Sequence, residues 1–187
     1  MKKRITLLVT GILGLSLFLV GCGKATQPKS TTSSTTPSTT MTKTIDDSQY
    51  SGTQNLNKLE SFAKASPNDA IAQLNAGISA YSNKDYTKAI DYYNNAIKAN
   101  PKYGMAYNNI GNVYFRGLNK PDEALQYYKK ATQVDPTYNY GWLNLALCQQ
   151  KLGDKEGAKV TIDQGLKVLS ANDTVAVALK KMQVEIK

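Results

Sequence analysis

The stretch that decides the fold is residues 107–136, which read YNNIGNVYFRGLNKPDEALQYYKKATQVDP. Apolar residues recur every three or four positions on both sides of a polar turn at Gly117–Pro121, which predicts two α-helices joined by that turn. Gly111 lets the two helix backbones approach closely, and Tyr128 on the second helix fills the remaining space. Pro136 marks the end of the second helix, because proline stops a helix but tolerates a turn.

Two further copies of this unit flank it. The first blocks of the three units are Asn75-Ala76-Gly77, Asn109-Ile110-Gly111 and Asn144-Leu145-Ala146. The second blocks are Ala89-x3-Tyr93-x2-Ala96-x4-Pro101, Ala124-x3-Tyr128-x2-Ala131-x4-Pro136 and Ala158-x3-Ile162-x2-Gly165. The units recur after 34 and then 35 residues, and we expect the extra residue in the turn Gly117–Pro121. A period of this length indicates stacked helix pairs that bury their apolar faces against one another.

The repeat resembles the tetratricopeptide repeat (TPR) family, whose pattern is W-x2-L-G-x2-Y, then A-x3-F, then P. The second unit matches it at Tyr107, Ile110, Gly111, Tyr114, Ala124, Tyr128 and Pro136, and the third at Trp142, Leu145, Ala146, Ala158 and Ile162. The resemblance implies an all-α fold, an α-solenoid of three helix-turn-helix units at about residues 70–103, 104–138 and 139–172. In this family the first helix of each pair lines the concave side of a right-handed superhelix.

Both ends of the repeat region are predicted to be cap helices. Before Pro67, an amphipathic helix with Leu56, Leu59, Phe62 and Ala63 is expected to cover the open face of the first unit. After the third unit, residues 173–187 are expected to form a C-terminal cap helix with Val175, Leu179, Met182 and Ile186 on one side. The whole repeat domain is placed at residues 46–187, with about eight helices and no sheet.

The first 21 residues have the pattern of a secretory signal peptide, with Lys2, Lys3 and Arg4 ahead of an apolar run. The stretch Leu19-Val20-Gly21-Cys22 resembles the lipobox of bacterial lipoproteins, in which the cysteine carries a diacylglyceryl group and cleavage occurs just before it. The alternative is an uncleaved membrane anchor, for which the run is short because a span needs about 20 apolar residues. We expect an exported protein that is lipid-anchored at Cys22 to the outer face of the bacterial membrane, or to an outer membrane in a diderm host.

Residues 22–45 are expected to be a disordered tether between the lipid and the folded domain. Thirteen of the twenty residues from 25 to 44 are Ser or Thr, and none is aromatic. Such a segment buries too little apolar surface to offset the entropy lost on ordering. A Ser/Thr-rich stalk that carries O-linked sugars is the alternative for this segment.

Composition argues against an enzyme and against a nucleic-acid binder. The chain has no histidine, which removes the commonest general base and the commonest zinc ligand. No catalytic residue, metal site or cofactor is therefore predicted. Loss of the leader would lower the net charge from +9 to +6, and the lysines form no run or stripe. Cys148, the other cysteine, is predicted to be a small buried residue.

The candidate binding residues lie on the first helices. Asn75, Asn109 and Asn144 occupy the same place in the three units, where an amide could pair with the main chain of an extended peptide. The alternative is that asparagine stands there for structural reasons. Further groove residues predicted beside them are Met105, Asn112, Phe115, Arg116 and Tyr140, with Asn108, Lys151 and Tyr81 nearby. Chaperone-binding TPRs carry a basic residue just before the first asparagine; Leu74 stands there, so that specificity is not carried over.

These features together predict a monomeric, membrane-anchored and non-catalytic interaction module that scaffolds another protein of the cell envelope. Family resemblance suggests roles in pilus, secretion or outer-membrane assembly, or in cell-wall synthesis. The alternative is a lipoprotein that captures a peptide or a wall fragment in its groove.

Overall fold

The computed structural model describes residues 47–186 of the chain, and the predicted signal peptide, the predicted lipidation site Cys22 and the predicted tether lie outside them. The helices are α1 Thr53–Ala65, α2 Ala70–Ser82, α3 Tyr86–Ala99, α4 Gly104–Asn112, α5 Pro121–Val134, α6 Asn139–Lys151, α7 Lys155–Val168 and α8 Thr174–Glu185. A 3-10 turn at Asp47–Gln49 precedes α1, and a π-helical turn at Val113–Gly117 extends α4. The described part of the chain contains no strand, so the predicted all-α fold with eight helices is confirmed.

Aspartates fix the starts of four helices. The carboxylate of Asp69 accepts hydrogen bonds from the Ile71 and Ala72 amides, and Asp173 does the same at the start of α8. Asp85 and Asp154 each accept one amide hydrogen bond at the start of α3 and α7. Each of these bonds satisfies a backbone donor that has no partner inside the helix.

The turn inside each helix pair contains one residue with a left-handed backbone. These residues are Lys84, Asn119 and Gly153, with φ angles of 64°, 53° and 79°. Asn119 therefore adopts the left-handed conformation that its turn requires. It does not cap α5, whose first residue is Pro121. Asparagine and glycine suit this conformation better than lysine does.

The extra residue of the second unit lies in its first helix. The three turns are equally long, at residues 83–85, 118–120 and 152–154. The added residue is taken up by the π-helical turn, in which the Leu118 amide donates to the Val113 carbonyl at 2.9 Å. The expectation that it lies in the turn Gly117–Pro121 is therefore wrong, because one residue inserted into a helix is absorbed as a π-bulge.

The two helices of a pair cross where one of them has a glycine or an alanine. A Cβ atom built on Gly77 would lie 2.5 Å from the Tyr93 ring, and one built on Gly111 would lie 2.5 Å from the Tyr128 ring. Both tyrosines are buried, so they fill the space above the glycine as the repeat pattern predicts. Burial raises the pKa of the Tyr93 phenol, which stays neutral in the core.

The third unit solves the same crossing differently. There Ala146 takes the place of the glycine and Ile162 the place of the tyrosine, and both are fully buried. The side chain on the first helix is larger than glycine and the one on the second helix is smaller than tyrosine, so the core remains filled.

The two cap helices differ in how well they match their prediction. Val175, Leu179 and Met182 of α8 and its C-cap residue Ile186 are all buried, as predicted. In α1, Leu56 and Ala63 are buried, but Phe62 is 53% exposed. The prediction that all four apolar residues of α1 cover the first unit is therefore wrong for Phe62. None of the helices in residues 47–186 is long and apolar enough to cross a membrane.

Candidate functional site

The first helices α2, α4 and α6 present the predicted groove residues. None of these helices, nor the π-helical turn, contains Asp or Glu. Their cations are Arg116 and Lys151, which are both exposed. We call the surface of α2, α4 and α6 that carries the predicted residues the first-helix groove. Its electrostatic character is weakly positive, with amide and phenol groups as its main polar components.

Asn144 joins two neighbouring first helices. Its side-chain amide donates to Asn108 Oδ1 at 2.8 Å and reaches Asn112 Oδ1 at 3.5 Å. Tyr128 donates to the same Asn112 oxygen at 2.9 Å, and the Asn108 amide reaches the Tyr138 hydroxyl at 3.4 Å. Asn144 is 7% exposed and Asn108 is 2% exposed. Asn144 is therefore not available in the groove as predicted, because its amide holds α6 to α4.

The other two asparagines have different surroundings. Asn109 is half-buried, and its side chain makes no hydrogen bond within residues 47–186. By repeat register, the residues that correspond to Asn108 and Asn112 in the preceding unit are Leu74 and Ile78, which offer no acceptor. The Asn109 amide is therefore free to bind an external partner. Until it does, this half-buried amide lowers the stability of the fold because it is unpaired.

Asn75 meets a segment that precedes the helices. Its Oδ1 lies 3.4 Å from the Tyr50 hydroxyl. The Tyr50 carbonyl accepts hydrogen bonds from the Ser79 hydroxyl and from the Asn83 amide, and Asn83 Oδ1 accepts from the Gly52 amide at 3.1 Å. Ser79 and Asn83 thus hold a short stretch of main chain against α2 and its C-terminal end, and Asn75 contacts the side chain of the same segment.

This contact was not predicted, although the sequence contains a signal for it. Ser79 corresponds to Val113 and Cys148 in the other units, and Asn83 corresponds to Leu118 and Leu152. The first unit alone has a hydroxyl and an amide at these two positions, and they pair with the main chain of Tyr50 and Gly52. In the third unit the Cys148 thiol likewise lies 3.2 Å from the Pro121 carbonyl.

The π-helical turn brings Phe115 and Arg116 into the groove. Phe115 is half-buried and packs edge-on against the Tyr128 ring, with the ring centroids 6.2 Å apart. Burial raises the pKa of Tyr128, and the adjacent Arg116 guanidinium opposes that rise. Burial also raises the pKa of Tyr81, again opposed by Arg116. The guanidinium therefore lies beside two phenol groups, at the edge of the groove.

Two further predicted residues, Met105 and Tyr140, are the second residues of α4 and α6. Met105 is half-buried against the core of the first unit. Tyr140 is exposed, and its ring centroid lies 6.3 Å from that of Tyr138. Among the described residues there is no cluster of Asp, Glu, His or Cys that could hold a metal ion.

Comparison with known proteins identifies the repeat. Sequence models of the tetratricopeptide repeat match residues 68–137 and 116–180, which together cover more than half of the chain. The chain belongs to the tetratricopeptide repeat family. The resemblance that the sequence motifs suggested is confirmed at the level of the repeat.

Curated relatives match this chain over its TPR region. The STIP1 homolog of Dictyostelium discoideum is 32% identical over 109 residues, which are 58% of this chain and 19% of that protein. The peroxisomal targeting signal receptor of Saccharomyces cerevisiae is 28% identical over 130 residues, which are 61% of this chain and 21% of the receptor. This chain thus spans about a fifth of the length of the curated relatives it matches.

Solved structures match the fold. A thermophilic TPR protein of Thermus thermophilus superposes with a TM-score of 0.60 at 15% identity, covering 71% of this chain and 73% of that one. The Sgt2 TPR domain of Aspergillus fumigatus gives 0.52 at 26% identity, covering 63% and 78%. The first TPR of Spaghetti (RPAP3), bound to the HSP90 peptide SRMEEVD, gives 0.53 at 22% identity, covering 63% and 95%. TPR proteins are in general non-catalytic scaffolds, and this chain is a TPR protein–protein interaction module.

Proposed function

We propose that this chain is a membrane-anchored, non-catalytic scaffold of the bacterial cell envelope, and that the α4–α6 part of the first-helix groove binds an extended segment of a partner protein. The observation that carries the proposal is the hold of α2 on the main chain of Tyr50 and Gly52, through Ser79 and Asn83. A first helix of this protein and its C-cap can therefore hold the main chain of a non-helical segment with polar side chains.

The α4–α6 part of the groove offers the partner a free amide and aromatic surface. Asn109 has no partner of its own within residues 47–186, and Phe115 and Tyr140 supply apolar contact beside it. Arg116 and Lys151 favour a peptide that is neutral or acidic, because the first helices carry no carboxylate that would pair with a basic one. Asn144 is not expected to contact the partner, since its amide is already bound to Asn108.

The groove is tested by mutation against a partner that is captured by crosslinking in intact cells. Asn109→Ala should weaken binding about fivefold, near the net value of one hydrogen bond. Phe115→Ala should weaken it further through lost apolar contact. The matched control is Gln126→Ala on the exposed side of α5, which should leave affinity unchanged. Unchanged affinity in Asn109→Ala and Phe115→Ala, with helicity intact, would show that the partner docks elsewhere.

The anchor is tested separately at Cys22. The Cys22→Ser chain should lose labelling by a fatty-acid probe and move from the membrane to the soluble fraction. Two or three acyl chains on one cysteine suffice for stable attachment, since each buried CH₂ contributes about 0.8 kcal/mol. Persistent membrane association of this variant in high salt would refute lipid anchoring without affecting the groove. Submicromolar affinity for a free peptide would favour the capturing role over the scaffold.

A further inference from the structure

Helix α1 corresponds to the second helix of a TPR pair whose first helix is missing from the described residues. In the complete pairs, three positions of the second helix are buried: Ala89, Tyr93 and Ala96; Ala124, Tyr128 and Ala131; Ala158, Ile162 and Gly165. Counted back from Pro67 as the residues of the first two pairs are from Pro101 and Pro136, the counterparts in α1 are Asn55, Leu59 and Phe62. Phe62 is 53% exposed, so the side of α1 that a first helix would cover lies open.

The open side of α1 continues onto α2 and forms a groove. Its walls are Leu59, Phe62 and Ser66 of α1 and its end, together with Asp69, Ile71, Ala72 and Asn75 of α2 and its cap. The groove encloses about 330 Å³, and Ile71 is 61% exposed at its rim. We call this the N-terminal groove. Two large apolar side chains exposed at one cleft are a feature of interaction surfaces.

The segment before α1 covers the far end of this side, and its Tyr50 hydroxyl reaches Asn75 on the α2 wall of the groove. The Asn55 amide donates to the carbonyls of Ser48 and Ser51, at 2.7 Å and 2.9 Å. These contacts lie at the first turn of α1, whereas Phe62 stands two turns further along the helix. Between Asn55 and Phe62, about two turns of α1 are therefore free to contact an occupant.

Asn75 specifies the polar chemistry of the occupant. In the third unit the equivalent residue, Asn144, donates to Asn108 and Asn112, which lie four residues apart on the preceding first helix. Asn75 occupies the same register, and its partner within residues 47–186 is the Tyr50 hydroxyl at 3.4 Å, which is long for a bond between oxygens. A helix placed in the groove would set its own polar residues against this amide.

We propose that the N-terminal groove binds an amphipathic α-helix of a partner protein, which takes the place of the missing first helix. The helix presents apolar side chains to Leu59, Phe62 and Ile71, and two amide or carboxylate residues four positions apart to Asn75. The occupant is a helix because this groove continues the packing that joins α2 to α3, α4 to α5 and α6 to α7.

A second copy of this chain fits the groove poorly. Its α8 is a first-type helix without a second helix of its own among residues 47–186, which makes it the obvious candidate from another copy. However, Lys180 of α8 stands where the other first helices have Gly77, Gly111 and Ala146. Docking α8 on α1 would bury this ammonium group at the helix crossing without a carboxylate partner, which is strongly unfavourable.

The experiment uses the full-length chain and a fluorescent synthetic peptide of residues 104–117. This peptide is the chain's own first helix of the second unit and carries Asn108 and Asn112. Fluorescence anisotropy should show saturable binding, and Phe62→Asp should weaken it at least tenfold. A peptide with leucine in place of Asn108 and Asn112 should bind several-fold more weakly, because Asn75 then loses its acceptors.

A matched control separates the groove from general stickiness. Val184 is 73% exposed on α8, far from the groove in the sequence and on another helix. Val184→Asp should therefore bind the peptide as the unchanged chain does. Circular dichroism should show the same helicity for both aspartate variants, since both positions face solvent.

Several results would overturn the proposal. One is the absence of saturable binding below about 1 mM peptide. Another is equal binding by the unchanged chain and Phe62→Asp. Self-association that Phe62→Asp abolishes would assign the groove to a second copy. A photocrosslinker at position 62 that reacts only with upstream residues of the same chain would assign it to that segment.

Discussion

Replacing Gly111 by alanine tests whether the close helix crossing, and not the flexibility of glycine, explains why small residues recur in the repeat. A Cβ at this position would lie 2.5 Å from Tyr128 Cε1 and 2.7 Å from Cδ1. The ring cannot move away easily. Tyr128 is 1% exposed, its hydroxyl donates to Asn112 at 2.9 Å, and Phe115 packs against its ring.

Two opposing effects set the size of the change. Alanine in place of glycine inside a helix contributes about 1 kcal/mol of stability through backbone entropy. Overpacking a rigid core costs about 1–3 kcal/mol, and a contact this short belongs at the upper end. The net expectation is a loss of about 2 kcal/mol, which lowers Tm by roughly 6–10 °C in a domain of this size.

Urea denaturation followed by circular dichroism measures the effect, with Gly141→Ala as the matched control. A Cβ on Gly141 would meet Thr132 at 3.3 Å, so this variant should be neutral or slightly more stable. The double variant Gly111→Ala/Tyr128→Ile recreates the pair that Ala146 and Ile162 form in the third unit. Its free energy of unfolding should exceed, by at least about 1 kcal/mol, the value predicted by adding the losses of the two single variants. Additivity within about 0.5 kcal/mol would refute the crossing argument.

Three further changes address the polar network, the core and the buried thiol. Asn144→Ala should destabilise the domain by about 1–3 kcal/mol, because Asn108 Oδ1 stays buried without its donor, whereas Asn109→Ala should change stability by less than about 0.5 kcal/mol in urea denaturation. Ala131→Glu should cost more than about 3 kcal/mol or abolish the thermal transition, since it forces a carboxylate into a fully buried site. Burial raises the pKa of the Cys148 thiol to about 11, so in a Cys22→Ser chain it should react with a disulfide reagent at pH 8 slowly when folded and rapidly in urea.

The controls for these changes use neighbouring exposed positions. Lys130→Glu places the same carboxylate on the exposed side of α5 and should leave the thermal transition nearly unchanged. Equal stability losses in Asn144→Ala and Asn109→Ala would contradict the different surroundings of the two amides. Rapid reaction of Cys148 in the folded chain would show that its helix opens locally.

The repeat made most of the fold predictable. A helix, its cap and its crossing point depend on residues within a few positions of one another, so Gly77, Gly111 and Ala146 could be aligned with the tyrosines or isoleucine that face them. The buried side of α8 followed from its 3–4 spacing for the same reason. Even so, the sequence did not reveal that the extra residue lies in a π-helical turn, because one residue inserted in a helix and one inserted in a loop lengthen the repeat equally.

The candidate site was less predictable, and the three asparagines show why. Their sequence register places them at equivalent positions of three first helices, and that much the sequence alone determined. Whether each amide is free depends on residues 25 or more positions away: Asn144 meets Asn108, Asn109 follows a unit with Leu74 and Ile78, and Asn75 meets Tyr50.

The sequence by itself therefore determined the helix pairs, their number and their stacking, because short-range spacing and side-chain size decide where helices form and cross. Only the tertiary structure decided which polar groups remain available and that Phe62 of α1 lies exposed. The physical reason is that a side chain's exposure and hydrogen bonding depend on the neighbouring unit. At the N-terminal end of the described repeats, α1 has no such unit on one side, so its pattern alone could not tell a buried face from an open one.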